Sequence, residues 1–195
     1  LTGRAVIKQS NKILKKYIYD RAGLDETCKV DPIIYNDTDS SYISIKQIIQ
    51  NCDVTFIDDK GKIHKDVYDE LEKLEDYLNK EITAWAKKSL NSNDSRFVFK
   101  RECICDIGTF LQKKRYVLHV LDDEGIPINK FKYTGVEVVR TTMPSSIKPY
   151  VKKIIETMLS TQNRAKTNEV FLETYEIFKD LPLEDYAFVM GIKGY

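Results

Sequence analysis

Long hydrophobic runs, cysteine motifs and an excess of either charge are missing from this chain of 195 residues. No apolar run approaches the ~18 residues needed to span a bilayer, and no signal-peptide pattern opens the sequence. Membrane and secretory classes are therefore not indicated. With 31 basic and 30 acidic residues, the net charge is +1, and the chain as a whole gives no signal for nucleic-acid binding. In such a chain only local basic clusters can steer a polyanion.

Cysteine is sparse, and its spacing excludes the usual metal motifs. The four cysteines form no CxxC pair and no zinc-like spacing. Cys103 and Cys105 alternate along a predicted strand, and we expect both to be buried as small hydrophobic residues. This usage indicates a reducing, cytoplasmic compartment. The sequence starts at Leu1, inside a predicted helix and without an initiating Met, which indicates a piece of a longer protein.

Helical periodicity covers much of the first half of the chain. Apolar residues recur at helical spacing over residues 1–19, and Gly23 is the expected end of this helix. A short helical turn is predicted at 45–49, and a long amphipathic helix over 64–90. Residues 58–62 are predicted to form a solvated turn, although their two aspartates resemble a metal site in isolation.

Strand patterns follow this long helix. Residues 91–95 are predicted to form a loop, and alternating or continuous apolar residues then predict a group of strands. These strands cover residues 96–105, 116–121, 130–133 and 136–139, with a turn at 122–125. Helices followed by hairpins, without regular βαβ alternation, predict an α+β fold with an antiparallel sheet packed by helices.

The pattern becomes helical again after residue 141. Pro144 is expected in the first turn of a helix, with Thr142 or Ser145 as its cap. Apolar residues at helical spacing predict that this helix runs to Leu159.

A polar link over residues 161–168 leads to a third predicted helix, which Pro182 stops. Phe171, Tyr175 and Phe178 are predicted to share one face of it. The segment after Pro182 shows no closing element. We place a subdomain boundary near residue 141, which gives a first domain of 1–140 and a helical segment of 141–195.

One acidic stretch stands out as a candidate site, the sequence Tyr35-Asn36-Asp37-Thr38-Asp39-Ser40. It lies between two short apolar strands, and its Asn and Asp residues predict a hairpin turn. Two carboxylates two residues apart in extended chain point to one side, close enough to share a divalent cation such as Mg²⁺. A lone Asp-x-Asp is, by base rate, a turn with capping aspartates.

The full string resembles a motif of the family B replicative DNA polymerases, which holds a catalytic aspartate in a hairpin turn of the palm domain. The family usually has Gly at the position of Asn36, and Asn also tolerates left-handed backbone angles. A second motif, Lys113-Lys114-Arg115-Tyr116, directly precedes the apolar strand at 117–121. It is similar to the palm motif that contacts the primer strand near its 3′ end. A Lys-Lys-Arg sequence by itself would indicate only a solvated end of a strand.

Softer matches extend the resemblance over nearly the whole chain. The passage from Gly135 to Arg140, followed by Thr-Thr-Met-Pro and a helix, resembles the transition from palm to thumb in tailed-phage members of the family. The strand that carries Glu102 resembles one with an acidic residue near the active centre, but Glu102 is not assigned as a ligand. The resemblance implies a C-terminal palm portion over 1–140 and the beginning of a helical thumb over 141–195.

The resemblance also implies roles for the acidic residues. Asp39 would be a ligand of a catalytic Mg²⁺ pair that activates the primer 3′-hydroxyl and stabilises the leaving pyrophosphate. Asp37 would support the site, at a metal or near the primer terminus, within a hairpin completed by Tyr35, Thr38 and Ser40.

The basic residues would bind primer–template DNA largely independently of its sequence. Lys114 would reach the minor groove and Arg115 the phosphates, with Lys113 and Tyr116 in the same region. A tyrosine in this position is more often part of a strand core. The implied partners are DNA, a dNTP and the remaining polymerase segments, in the host cytoplasm if the gene is a phage gene, with no membrane.

Other parts of the polymerase family's active site are missing from this sequence. The upstream aspartate motif and the nucleotide-binding helix do not occur in it, and neither does the proofreading exonuclease. We therefore expect the isolated chain not to polymerise, and template-dependent primer extension by these 195 residues would contradict this. Three other interpretations of the chain are considered: a subunit of a split polymerase, a non-catalytic DNA-binding module with the palm fold, and a metal-dependent nuclease.

Overall fold

The computed structural model describes residues 2–25, 27–91 and 97–188, and it has the α+β fold that the sequence predicts. Two antiparallel sheets occur in the described chain, a two-stranded hairpin and a three-stranded sheet with its strands in chain order. The helices are α1 Thr2–Ala22, α2 Lys46–Asn51, α3 Lys65–Leu90, α4 Lys148–Thr161, α5 Arg164–Lys179 and α6 Leu183–Tyr186. The strands are β1 Ile33–Asp37, β2 Ser40–Ile43, β3 Cys103–Gln112, β4 Arg115–Asp123 and β5 Ile126–Thr134.

The chain divides into two compact units. The first contains residues 1–104 and 122–127, and the second contains residues 105–121 and 128–195. The three-stranded sheet contributes to both, since the start of β3 and the turn between β4 and β5 belong to the first unit. The domain boundary near residue 141 stays a prediction.

Helices α1 and α3 build the core of the first unit because each carries apolar residues three and four positions apart. Gly23, at φ +64°, ends α1, and the Leu24 N–H donates to the Tyr19 carbonyl at 2.9 Å. His64 caps α3 by accepting the Asp66 N–H at its Nδ1 atom. The helices predicted over residues 1–19 and 64–90 and the turn predicted at 58–62 are confirmed. The core residues from these helices are Val6, Ile13, Leu14, Ile18, Val67, Leu74, Leu78 and Ile82.

The segment that precedes β3 differs from the prediction. Residues 97–102 are not a strand, and β3 begins at Cys103 and runs on to Gln112. Side chains of α3 replace the missing strand neighbour: Asn79 accepts the Phe99 N–H and donates to the Phe99 carbonyl, both at 2.8 Å. Glu75 accepts the Arg101 N–H at 2.9 Å. The alternating aromatic residues Phe97 and Phe99 therefore belong to an extended segment that packs against α3 and is not part of a sheet. The predictions for residues 92–96 lie outside the described residues.

The expectation that both strand cysteines are buried is wrong. Cys103 and Cys105 are only half-buried, whereas Ile104 between them is 5% exposed and belongs to the core of the first unit. Because successive side chains of a strand point to opposite faces, Ile104 faces the core and the two cysteines on either side of it do not.

A buried polar cluster fixes the turn between β4 and β5. Glu124 and Gly125 form a two-residue turn in which both residues have positive φ, as in a type I′ turn. Asp122 is fully buried and accepts the Gly125 N–H and the Tyr68 hydroxyl, both at 3.0 Å, and it pairs with Arg101. Buried carboxylates persist only with such partners, so this hairpin is held at a defined place in the first unit.

The core of the second unit lies between the sheet and α4. Val117 from β4 and Leu159 from α4 are buried with Val136 and Val138. The last two were predicted to lie in a strand, and this is wrong, because Glu137–Val139 forms a 3-10 helix that presents Val136 and Val138 to the same core. Apolar residues two apart fit this turn as well as a strand.

The start of α4 also differs from the prediction. The helix begins at Lys148, with Pro149 rather than Pro144 in its first turn. Neither Thr142 nor Ser145 caps it, since Ile147 holds the N-cap position without a side-chain hydrogen bond. Pro144 is buried before the helix, and its carbonyl accepts the N–H groups of Ile147 and Lys148.

The helices that follow are closer together than predicted. Only Gln162 and Asn163 separate α4 from α5, and Asn163 caps α5 by accepting two backbone N–H groups. The predicted end before Pro182 is confirmed, whereas Phe171 and Tyr175 on its predicted apolar face are more than half exposed. No helix of the described chain combines the length and the apolar character needed to cross a membrane.

Candidate metal and nucleic-acid site

The acidic stretch forms a hairpin, as predicted. Strands β1 and β2 pair antiparallel, Asp37 is the register partner of Ser40, and Thr38 and Asp39 form a two-residue turn. Within this turn Ser40 Oγ donates to the Asp37 carbonyl at 3.2 Å, and Thr38 Oγ1 donates to Asp37 Oδ1 at the same distance. The hairpin therefore carries two carboxylates within three residues, Asp37 at the end of β1 and Asp39 in the turn.

The two carboxylates do not, however, lie in one extended strand, which was the reason for expecting them to point to the same side. Asp37 is the last residue of β1 and is half-buried, while Asp39 is exposed in the turn, so strand alternation does not relate the two side chains. The left-handed residue of the hairpin is Thr38, at φ +39°, whereas Asn36 lies within β1. The tolerance of Asn for left-handed angles is thus not used at position 36.

Packing with α1 and the core of the first unit positions this hairpin. Ile33 and Ile43, a register pair at its base, pack against that core. The Ser41 hydroxyl lies 2.7 Å from Asn36 Oδ1 and 3.1 Å from Asn11 Oδ1 of α1. These contacts hold the base of the hairpin, so that its acidic tip has a defined position.

The rings of Tyr35 and Tyr42 support the same strand pair, with centroids 5.7 Å apart. Such a cross-strand aromatic contact stabilises a short hairpin by roughly 0.2–1 kcal/mol. Tyr35 therefore supports the hairpin structurally.

As a metal site, this hairpin would be incomplete by itself. Among the described residues, no three His, Cys, Asp or Glu side chains are grouped as ligands of one metal ion. Mg²⁺ is commonly held by one or two carboxylates, with water and substrate phosphates as its other ligands. Asp37 and Asp39 match this number of carboxylate ligands. The two-metal Mg²⁺ site stays a prediction.

The basic motif forms the turn between β3 and β4. Lys113 and Lys114 are exposed, Lys114 has φ +60°, and β4 begins at Arg115. A lysine with positive φ is uncommon, and Gly or Asn would adopt this conformation with less strain. We name Lys113, Lys114 and Arg115 the basic turn.

The side chains of Arg115 and of the next residue, Tyr116, have different partners. Tyr116 is 7% exposed, and its ring centroid lies 5.5 Å from that of Phe110, so its ring belongs to the packed part of the sheet. Arg115 donates from Nη1 to Glu137 Oε1 at 2.9 Å, and Arg140 lies 3.5 Å from the same oxygen. The guanidinium group of Arg115 is therefore tied to the segment that follows β5.

The predicted site residues fall into two groups. Tyr35, Asp37, Thr38, Asp39 and Ser40 are together in the hairpin of the first unit, and the basic turn with Tyr116 belongs to the second unit. Sequence reasoning did not identify the contacts of Gly135 and Glu137 with the basic turn. A glycine directly after a strand is the one local signal, and it does not say which backbone lies against it.

Glu102 lies in the first unit, with an exposed side chain. Its backbone carbonyl accepts the Glu124 N–H at 2.7 Å, a contact that joins the segment before β3 to the turn after β4. This bond gives position 102 a structural role that does not depend on its carboxylate.

No protein-family model matches the chain, and no curated protein matches it significantly.

Proposed function

We propose that this chain is the C-terminal palm portion and the start of the thumb of a family B DNA polymerase of the tailed-phage type. In this role it takes part in template-directed DNA synthesis in the host cytoplasm. The remaining polymerase segments, from the same gene or from a split partner, supply the other aspartate and the nucleotide-binding helix. The observation that carries the proposal is the acidic hairpin, whose two-residue turn holds Asp39 exposed beside Asp37.

The chemistry assigned to the hairpin is metal-assisted nucleotidyl transfer. Asp39 is the metal ligand, because its carboxylate is exposed and Mg²⁺ prefers such hard oxygen donors. Asp37 supports it from the end of β1, where the Thr38 hydroxyl fixes one of its oxygens. The bound ions would activate the primer 3′-hydroxyl and neutralise the departing pyrophosphate.

The basic turn supplies DNA contacts that do not depend on sequence. Lys113 and Lys114 are exposed in this turn and precede Arg115 in the sequence, and cationic side chains of this kind suit a phosphate backbone. An enzyme that copies any template needs this kind of contact.

The first experiment measures binding of the chain to a fluorescein-labelled primer–template by anisotropy, over a series of salt concentrations. Lys114→Ala is expected to weaken binding severalfold and to make the negative slope of log K against log salt shallower, because the duplex loses one of the cations that displace its counterions. Lys60→Ala is the control, since Lys60 is also an exposed lysine in a turn. Equal affinities of the two variants, or no binding by the unaltered chain, would contradict the proposal.

A further inference from the structure

We infer that Gly135 is a positioning residue for the basic turn, and that the affinity of the chain for DNA depends on the absence of a side chain there. This inference rests on the proposed function, because it assigns the basic turn to DNA. Gly135 follows the last residue of β5 and has φ +62°.

The contact that carries the inference is a close approach of two backbones. A Cβ atom at position 135 would overlap the Lys114 carbonyl oxygen, and it would lie 3.2 Å from the Lys114 carbonyl carbon. It would also lie 3.4 Å from Cγ of Arg115. Only a residue without Cβ allows this approach, so the position of two residues of the basic turn depends on glycine.

Burial decides which of the two backbones would move. Val136 and Val138, one and three residues after Gly135, are 4% and 2% exposed and belong to the core of the second unit. Displacing them costs core packing. Lys114 lies in an exposed two-residue turn, and its φ of +60° is already strained. A side chain at position 135 therefore displaces the basic turn rather than the segment that follows β5.

A second contact ties the basic turn to the same segment. Glu137, two residues after Gly135, accepts the Arg115 Nη1 hydrogen bond at 2.9 Å. Close approach at Gly135 and the ion pair at Glu137 thus hold the Lys114 backbone and the Arg115 guanidinium against residues 135–137. A contrasting case is Gly108, where an added Cβ would meet the Leu118 Cδ2 atom at 2.6 Å, the end of a flexible side chain.

The test compares Gly135→Ala with Gly23→Ala. Gly23 has nearly the same φ, +64°, but an added Cβ there meets nothing within 4 Å. Both variants therefore carry the same backbone strain, and only the first carries the overlap. Amide chemical shifts of residues 113–116 are recorded without DNA, and primer–template affinity is measured over the salt series.

Gly135→Ala is expected to shift the amides of residues 113–116, to weaken DNA binding severalfold and to reduce the salt dependence, whereas Gly23→Ala leaves all three unchanged. Gly135→Asn repeats the test if the alanine variant does not fold, because Asn tolerates left-handed angles but still carries Cβ. Unchanged shifts at 113–116 in a folded variant would overturn the inference. Shifted amides in a chain that binds no DNA even when unaltered would support the positioning role and overturn the proposed function.

Discussion

Glu70 shows how a single carboxylate joins two helices of the first unit. It is 6% exposed on α3 and accepts from Arg21 of α1 twice, at 2.8 Å from Nε and 3.0 Å from Nη2. Lys73 donates to it at 2.8 Å. The hydrogen bonds from Arg21 are the main reason why the pKa of Glu70 falls from its ordinary 4.5 to about 2. A buried carboxylate is tolerated here because its partners keep it charged.

This depressed pKa predicts how stability depends on pH. Because the folded state lowers the pKa of Glu70, its stabilising effect is complete above about pH 4.5 and is lost as the pH falls towards 2. Glu70→Gln is expected to lower the free energy of unfolding by on the order of 1–3 kcal/mol at pH 7, and by much less near pH 2. Urea unfolding at several pH values measures this difference.

The matched control is Glu72→Gln, which changes an exposed carboxylate on the same helix. It should follow the pH dependence of the unaltered chain. A difference between Glu70→Gln and the unaltered chain that stays constant from pH 7 to 2 would contradict the ion-pair account.

Asp39 carries the prediction for the metal site. Asp39→Asn keeps the size of the side chain but removes a hard anionic ligand, and it is expected to weaken Mn²⁺ binding about tenfold, or roughly 1.4 kcal/mol. The measurement is the electron paramagnetic resonance signal of unbound Mn²⁺ in a titration. Asp59→Asn, in the turn at residues 58–62, is the control. An equal loss in both variants would show non-specific binding to surface acids.

At the scale of elements, Phe99 in the segment at residues 97–102 makes its backbone hydrogen bonds with one side chain of α3, Asn79. Both bonds of Asn79 go to Phe99, and both are 2.8 Å long. Phe97 and Phe99 pack against the core of the first unit, so these polar groups are part-buried. Loss of the Asn79 side-chain amide would leave the Phe99 N–H and the Phe99 carbonyl without these hydrogen bonds.

Asn79→Ala is therefore expected to lower the free energy of unfolding by about 1–3 kcal/mol, measured by urea denaturation. Lys80→Ala, an exposed neighbour on α3, should change it by less than about 0.5 kcal/mol. If the two variants were equally stable, the segment would not depend on its contact with Asn79.

The strength of the local signals in each element explains why some helices and strands were predicted correctly and others were not. Helices α1 and α3 have long apolar stripes and local end signals such as Gly23, so their positions follow from nearby residues. The strand predicted at 136–139 failed because two buried valines two residues apart also fit a 3-10 turn. Pro144 and Pro149 both lie near the start of α4, and a proline signal alone does not choose between them.

At the scale of the whole molecule, the two units have cores of unequal size. Among the described residues, eleven buried hydrophobic residues cluster in the first unit and four in the second. The second unit also exposes large apolar residues on α5, including Phe171, Leu172 and Tyr175. We expect the second unit to open more readily, since stability within a protein varies with local apolar packing.

Hydrogen exchange measured by mass spectrometry tests this expectation. Amides in the middle of α3 should exchange at least about tenfold more slowly than those in the middle of α5. Equal protection in the two helices would instead indicate that the chain unfolds as one cooperative unit.

The sequence by itself determined the α+β class, the main helices and the acidic hairpin, because each depends on periodicity or turn chemistry within a few residues. The tertiary structure alone decided which distant groups meet: Arg21 with Glu70, Asn79 with Phe99, and Gly135 with Lys114. These partners lie 20 to 49 residues apart, and no local pattern specifies a contact at that range. The physical reason is that packing of whole elements, not local propensity, brings such groups together.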